Sequence, residues 1–373
     1  MSPLKPAAML DPAIRHKPWC PNHLHWLIQE MAGGTRQPEQ DHRTHLRATL
    51  EWVCRAQDAC VTPDSGCVSA GWTFESGWLS ASADTTGWLI ETLLPAADYL
   101  GWPALAERAC VMLEALLTYP DQGAPGQIHG LIAGHVQLGH AESLTRAVRG
   151  GYVMADMPMK SIAHHAQAAH ALAAVGVIAG ESNLLEAARR HLEIVLAKQT
   201  PCGWFPEPTG RLSTSALASI TRSVIESSRL LSDERALLAG LRAAQGMHDH
   251  PRSDGWLAGA FDDGWMPAAD QACMQGLAQL AVCWLRLAQL NQAAQKARWH
   301  DAAWRALAWI KRNQRTTGDN LALRDALPSA VPIWRGPSAF RFDALSAKHF
   351  ADALMMDMAG ITIPPIAETR LHP

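Results

Sequence analysis

Acidic residues, histidines and tryptophans crowd into a few stretches of this chain. One stretch reads Asp64-Ser-Gly-Cys-Val-Ser-Ala-Gly-Trp72, continues to Trp78 and ends in Asp84-Thr-Thr-Gly-Trp88. The flat faces of Trp72, Trp78 and Trp88 suit the axial C–H groups of a sugar ring, although the same rings could pack the loop against its neighbours. Asp84 stands before a helical pattern and reads either as a helix N-cap or as an acid/base group. A second loop holds Asp254, Trp256, Asp262, Asp263, Trp265 and Asp270. Two carboxylates in unlike environments are what glycosidic bond cleavage needs, while Asp262-Asp263 beside Gly264 also fits a solvated turn. His164 and His165 open a helical segment ahead of His170, and His129 and His135 lie on another. A histidine titrating near neutral pH can move protons at a sugar carbon. Trp204 and Trp334 extend the aromatic set, and Gln127, Arg222 and Arg341 are the polar candidates for substrate binding, the arginines by pairing with carboxylates.

Other chemistry has no sequence support. No phosphate-binding Gly-rich loop, dinucleotide fingerprint or nucleophile elbow occurs. His164 has no partners at zinc-ligand spacing, and Cys20-Pro-Asn-His23 alone is not a metal signature, so neither a metal nor a cofactor is expected. Cys54, Cys110, Cys273 and Cys283 fall on apolar helix faces and read as core thiols. A net charge of −3 gives no basic field, which argues against nucleic acid as a partner. The longest apolar runs, such as Ala168 to Ala179, look too short to span a bilayer. The opening Ser-Pro-Leu-Lys-Pro lacks the basic stretch and apolar core of a signal peptide, so a cytoplasmic protein with reduced cysteines is expected. Tryptophan, at 15 residues against 3 Tyr and 6 Phe, is the main aromatic residue, which is unusual.

These residues must be held by helices. With 48% hydrophobic and 18% charged residues, the chain of 373 can bury a sizeable core. Residues 1–37 form an irregular Pro- and Gly-rich lead-in around a short helix near Asn22 to Met31, and 38–373 form one domain. Period-two alternation is nearly absent, so strands should be few. Six units fit the pattern of a more polar outer helix, a Gly/Trp loop and an apolar inner helix. Outer helices start near Glu39, Pro103, His140, Ser182, Asp233 and Gln292, and inner ones near Asp84, Gln127, Ser161, Ser213, Met266 and Asp343. Gln57, Gln199, Gln245 and Gln314 end outer helices, where an amide can bond exposed backbone. An inner ring of apolar helices inside an amphipathic ring is an all-α (α/α)6 toroid, with an open helical solenoid as the alternative. In a toroid the loops entering the inner helices meet at one mouth, and helix N-termini there favour anions.

With these residues in view, the chain resembles the six-hairpin proteins encoded with bacterial exopolysaccharide genes, of the VpsJ-like type. Their Pro-Glu-Thr-Thr-Gly-Tyr segment is matched by Ala83-Asp84-Thr85-Thr86-Gly87-Trp88, and their Cys-Leu-Thr-Gly-x-Ala-Gln by Cys273-Met-Gln-Gly276-Leu-Ala278-Gln279. Ser346-Ala347-Lys348-His349-Phe350-Ala351-Asp352-Ala353-Leu354 follows a third pattern, and Ser219-Ile-Thr-Arg222-Ser-Val-Ile-Glu226-Ser a fourth. The likeness runs from about residue 40 to 358. It departs where the family's Glu is Asp84, where a His and a Tyr are Ser215 and Ser219, and where an Arg is Gln167. The resemblance implies the toroid and a link to polysaccharide, with proteins of an exopolysaccharide machinery as partners.

The expectation is therefore an enzyme acting on an acidic or acetamido-bearing oligo- or polysaccharide by hydrolysis or elimination. Asp84 with Asp262 or Asp263 would be acid and base, assisted by His164 or His165, and the tryptophans would line sugar subsites. A sugar epimerase using a histidine pair, a non-catalytic glycan-binding subunit and a terpene-cyclase-like enzyme stay open.

Overall fold

The structure, a computed structural model, describes residues 21–33, 36–290 and 293–359. A short helix α1 (Pro21–Met31) precedes the ring. The outer and inner helices then alternate: α2 (His42–Asp58) and α3 (Ala83–Leu100), α4 (Pro103–Thr118) and α5 (Pro125–Leu138), α6 (Ala141–Asp156) and α7 (Ile162–Ala179). The second half repeats this with α8 (Ser182–Lys198) and α9 (Thr214–Leu231), α10 (Glu234–His248) and α11 (Met274–Leu290), α12 (Ala293–Asn313) and α13 (Ala344–Ala359). Each inner helix packs on the next, and α13 packs back onto α2 and α3. The ring is closed, so the fold is the (α/α)6 toroid and not the open solenoid.

Burial explains the two rings. Outer α8 buries Leu184, Ala187, Ala188, Leu192 and Val195, one stripe at helical spacing. Inner α7 buries the run from Ala168 to Gly176 on every side, and its many alanines let neighbouring helices approach closely. By length and composition α7 could cross a bilayer, which corrects the expectation that every apolar run was too short. Its apolarity is that of an inner helix, with 67% of it buried among the others.

Short strands lie in the loops entering the inner helices. β1 (Gly71–Thr73) and β2 (Gly77–Trp78) precede α3, β3 (Arg211–Ser213) precedes α9, and β4 (Ala260–Asp262) and β5 (Ala272–Cys273) precede α11. β6 (Ala330–Val331) and β7 (Arg341–Asp343) precede α13. All pairings are antiparallel: β2-β1-β7 form one sheet, with Trp72 opposite both Trp78 and Phe342, and β3-β4 and β5-β6 form two ribbons. β1 and β2 pair within one mouth loop, and the β1-β7, β3-β4 and β5-β6 pairs each join neighbouring mouth loops. α11 therefore starts at Met274 and not near Met266: after the turn at Trp265, whose φ is 57°, residues 266–268 fold back onto β4, and Ala272 and Cys273 form β5.

Side chains end the helices as their types suggest. Ser82, Ser161 and Ser213 cap α3, α7 and α9, and Asp41 and Asp233 cap α2 and α10. The Nε2 of Gln57 donates to the Gly66 carbonyl at 3.0 Å and that of Gln199 to the Gly203 carbonyl at 3.2 Å. Gln245 bonds Asp249 instead, and Gln314 bonds Thr49 and the Asp325 carbonyl across the ring closure. The seven described cysteines are free. Cys54 and Cys283 are buried as expected and Cys273 is partly so, but Cys110 is exposed on α4, on the face turned from the ring. Cys20 and the side chain of His23 lie outside the described residues, as do 360–373.

Candidate functional site

The inner helices enclose a cavity at the centre of the mouth, of about 70 Å³. α3 supplies Asp84 and Trp88, α7 supplies Gln167 and His170, and α9 supplies Ser219, Arg222 and Ser223. Gln275 and Gln279 of α11 and Leu345 and His349 of α13 complete the wall. The space holds a few waters or one carboxylate group. A sugar ring can enter it only by an edge.

α3 carries the main chemistry on one face, with Asp84, Trp88 and Glu91 at i, i+4 and i+7. Ser82 takes the cap, so Asp84 sits in the first turn and its carboxylate is free for another partner. That partner is the Gly126 N–H, which donates to Oδ1 at 2.6 Å. The contact exists because α3 and α5 touch backbone to backbone. A Cβ on Gly87 would fall 2.0 Å from the Gly126 carbonyl oxygen, and one on Gly126 would fall 2.1 Å from that of Asp84. Only glycine fits either position. Burial raises the Asp84 pKa above the ordinary carboxylate value, outweighing the Gly126 N–H, His129 and Trp88, which lower it.

Below Asp84, Trp88 stacks on His129 with centroids 4.5 Å apart and planes at 23°. The Arg222 guanidinium lies 5.7 Å from the Trp88 ring and Lys348 Nζ 5.3 Å, both within cation–π range. Deeper still, Glu91 is fully buried. It faces Lys348 Nζ at 3.3 Å, His129 Nδ1 at 3.6 Å and Arg222 Nη2 at 3.9 Å. Burial alone would raise its pKa, but Lys348, His129 and Arg222 together hold Glu91 well below the ordinary value. Lys348 also pairs with Asp352, which accepts a hydrogen bond from Thr92 Oγ1 at 2.7 Å. The floor of the ring is thus a neutralised cluster of two carboxylates and two cations.

Arg222 belongs to both layers. It is 4% exposed, yet Nε and Nη2 have no hydrogen-bond acceptor. Nη1 lies 3.5 Å from His349 Nδ1. A guanidinium only donates, so His349 accepts and is neutral there. Burial first, then Lys348 and Arg222, push the His349 pKa well down, and burial with His129 and Arg222 does the same to His170. Two uncharged imidazoles therefore line the cavity from α7 and α13. Gln167 Nε2 donates to Ser219 Oγ at 2.9 Å, so these two points of departure from the VpsJ-like pattern meet on the cavity wall.

Of the candidate catalytic and substrate-binding residues, Asp84, Trp88 and Arg222 line this cavity, together with His170, Gln167 and Ser219, which the sequence also brought up; the remaining candidates do not. Asp262 Oδ1 accepts from the N–H groups of Gly264 and Met266, which makes it the anchor of a turn, and Asp263 is exposed beside it. Neither forms an acid/base pair with Asp84 in this cavity. His164 is exposed on Ser161, and His165 turns outward to His191, Nδ1 to Nδ1 at 2.8 Å. Gln127 is buried and holds the Pro120 carbonyl at 3.1 Å. Trp204 and Trp265 pack edge to face at 5.1 Å, and Trp265 Nε1 donates to the Cys202 carbonyl. Trp78 tilts against Trp52 at 5.5 Å. Arg252 covers Trp256 at 4.4 Å, Arg341 pairs with Asp343, and Trp334 packs against the core. Trp72 borders a separate cavity. Among the described residues no cluster of His, Cys, Asp or Glu is arranged to hold a metal ion. The cavity wall of Arg, His, Gln and Ser is also unlike the apolar chamber that terpene cyclisation needs.

Glu91, Lys348, Asp352, Gln279 and His349 were not singled out by residue type. The signal was present, since Glu91 and Lys348 are charges set in the midst of apolar inner helices, and buried charges persist only when paired.

No family model and no curated protein sequence matches the chain. Solved structures do match. The unsaturated glucuronyl hydrolase of Bacillus sp. GL1 is 14% identical, over 86% of this chain and 98% of its own, with a TM-score of 0.70. That of Streptococcus agalactiae is 12% identical, over 88% and 95%, at 0.68. Cellobiose 2-epimerase of Bacillus thermoamylovorans is 9% identical, over 84% and 98%, at 0.64. The shared feature is the fold, the (α/α)6 toroid, and such a fold hosts more than one activity.

Proposed function

We propose that this chain is a carbohydrate-active enzyme that hydrolyses oligosaccharides ending in an unsaturated uronic acid. The observation that carries this reading is Arg222, a buried guanidinium lining the cavity whose Nε has no hydrogen-bond acceptor and whose Nη2 has only the Glu91 carboxylate at 3.9 Å, beyond hydrogen-bond distance, which leaves it donors for a carboxylate. The cavity volume suits that carboxylate, with the sugar ring above it at Trp88. Asp84, whose raised pKa favours the protonated form, is placed to give a proton. An unsaturated uronyl group is an enol ether. Protonation of its C4 by Asp84 and addition of water at C5 give a hemiketal, which collapses and releases the rest of the chain. The Asp84 carboxylate left by that transfer takes the proton of the adding water, which restores the acid; opening of the hemiketal at the C5–ring oxygen bond leaves a hemiacetal at C1, whose bond to the leaving oxygen breaks with that oxygen taking the hydroxyl proton. This route needs one acid, which agrees with a single carboxylate on the cavity wall. The solved glucuronyl hydrolases of the same fold and the VpsJ-like sequence pattern support a role in bacterial polysaccharide synthesis or turnover.

A second reading, sugar epimerisation, is favoured by the two neutral histidines facing one cavity from α7 and α13. The two separate in heavy water. Unsaturated uronyl disaccharides should lose their ultraviolet absorbance and gain one water, and Arg222→Lys should abolish this. Deuterium uptake into a neutral disaccharide without cleavage would install the epimerase. Neither change with either substrate would overturn both.

A further inference from the structure

Beside the mouth lies a larger cavity of about 490 Å³, within the range of small-ligand sites. Its walls are α1, the loop around β1 and the stretch following α12, which contribute Trp26, Gln29, Trp72, Phe74 and Asn320. α1 is held there by Trp26, which meets Phe74 edge-on at 5.7 Å and Phe342 at 6.1 Å and lies under the Arg315 guanidinium at 4.2 Å. Glu30 of the same helix pairs with Arg315 at 3.0 Å. Trp72 is half-buried and touches Phe74 and Phe342 only at steep angles of 74° and 62°. Among the described residues no ring lies flat on Trp26 or Trp72. Aromatic walls with side-chain amides between them match a pyranose, which offers C–H faces and a rim of hydroxyls.

The two cavities have no lining residue in common, but β7 links them. Phe342 of β7 pairs with Trp72, and Leu345, which lines the central cavity, is three residues further along. That separation is at most about 11 Å of chain, within the span of a short oligosaccharide.

We infer that this aromatic cavity is a second carbohydrate subsite, holding pyranose units of the same chain whose terminal residue enters the central cavity. The inference rests on the proposed function and adds chain-length selectivity to it. α1, which lies outside the ring, is then part of the binding surface.

The test compares kcat/KM for an unsaturated uronyl disaccharide and the corresponding tetrasaccharide, with tetrasaccharide binding followed in parallel by calorimetry. Trp72→Ala and Trp26→Ala should each cut the tetrasaccharide advantage over the disaccharide by roughly 2- to 12-fold, the range for one aromatic contact. Trp72→Phe, which keeps a ring, should retain most of it, and Trp304→Ala on exposed α12 should change nothing. Tetrasaccharide kinetics equal to wild type in both alanine variants would overturn the inference and leave the central site standing. If the disaccharide is inert but tetrasaccharide binding still depends on Trp72, the proposed reaction falls and the subsite stands. If neither sugar is turned over or bound, both fall.

Discussion

Asp84 and Glu91 stand on the same face of the same helix, two turns apart, and burial raises the pKa of both, yet the two shift in opposite directions. Asp84 has one backbone N–H for a partner and opens onto the cavity, so its pKa is raised. Glu91 has three positive or protonatable neighbours and no opening, so its pKa is lowered. What separates an acid from a structural charge here is the number of cationic neighbours, not the residue type or the depth alone.

That contrast can be broken by exchange. Asp84→Asn keeps the shape and the acceptor for the Gly126 N–H but removes the proton, so kcat should fall about 10²- to 10⁴-fold with the melting temperature nearly unchanged. Glu91→Gln should do the reverse in kind. It leaves Lys348 and Arg222 short of a buried counter-charge and should lower unfolding free energy in a denaturant titration by about 3–5 kcal/mol.

The pH dependence sharpens the same comparison. If the protonated Asp84 is active, the rate should be highest at low pH and fall as pH rises through its raised pKa, which a kcat profile checks. Glu91 has a depressed pKa, so its stabilisation is present above the ordinary glutamate value and lost as pH falls through the native one. His170 and His349 add to this, since the unfolded chain binds protons on them before the native state does. Thermal melts should therefore worsen on acidification while the catalytic step is still favoured by it.

A smaller effect of the same sign is expected at the ring closure. His42 and His300 flank Asp357, Nε2 to oxygen at 2.9 and 2.8 Å. Burial would raise the Asp357 pKa, but the two histidines hold it below its ordinary value. Asp357→Asn should cost about 1 kcal/mol at neutral pH, the scale of a partly exposed pair, and the loss should fade in acid.

Much of the ring was legible in the sequence because its two periodicities are local. Apolar-all-round segments alternate with striped ones, and serines stand where inner helices begin. The strands were not legible, since their few residues pair with loops from other hairpins. The site divides the same way. Asp84, Trp88 and Arg222 could be read from type and position. His164 and His165 drew attention away from His170, although six or five residues place them about 120° or 140° from it around the helix, and only His170 faces the cavity. Asp262 looked catalytic because a turn-forming aspartate and an acid/base one are the same residue in sequence. The Glu91–Lys348 floor joins residues 257 positions apart, a pairing that only ring closure creates.

That closure also sets an order of events during synthesis. His45 binds Gln314 across 269 residues, and Thr92 reaches Asp352 across 260. Until α13 has left the ribosome, the growing chain is an open horseshoe whose inner helices expose apolar flanks and an unpaired Glu91. Local hairpins can form early, but the last one acts as a keystone that completes fold and floor together. A chain ending before α13 would leave apolar flanks of α2, α3 and α11 uncovered and the central cavity without Leu345 and His349, so the ring and its cavity are completed by the same final helix.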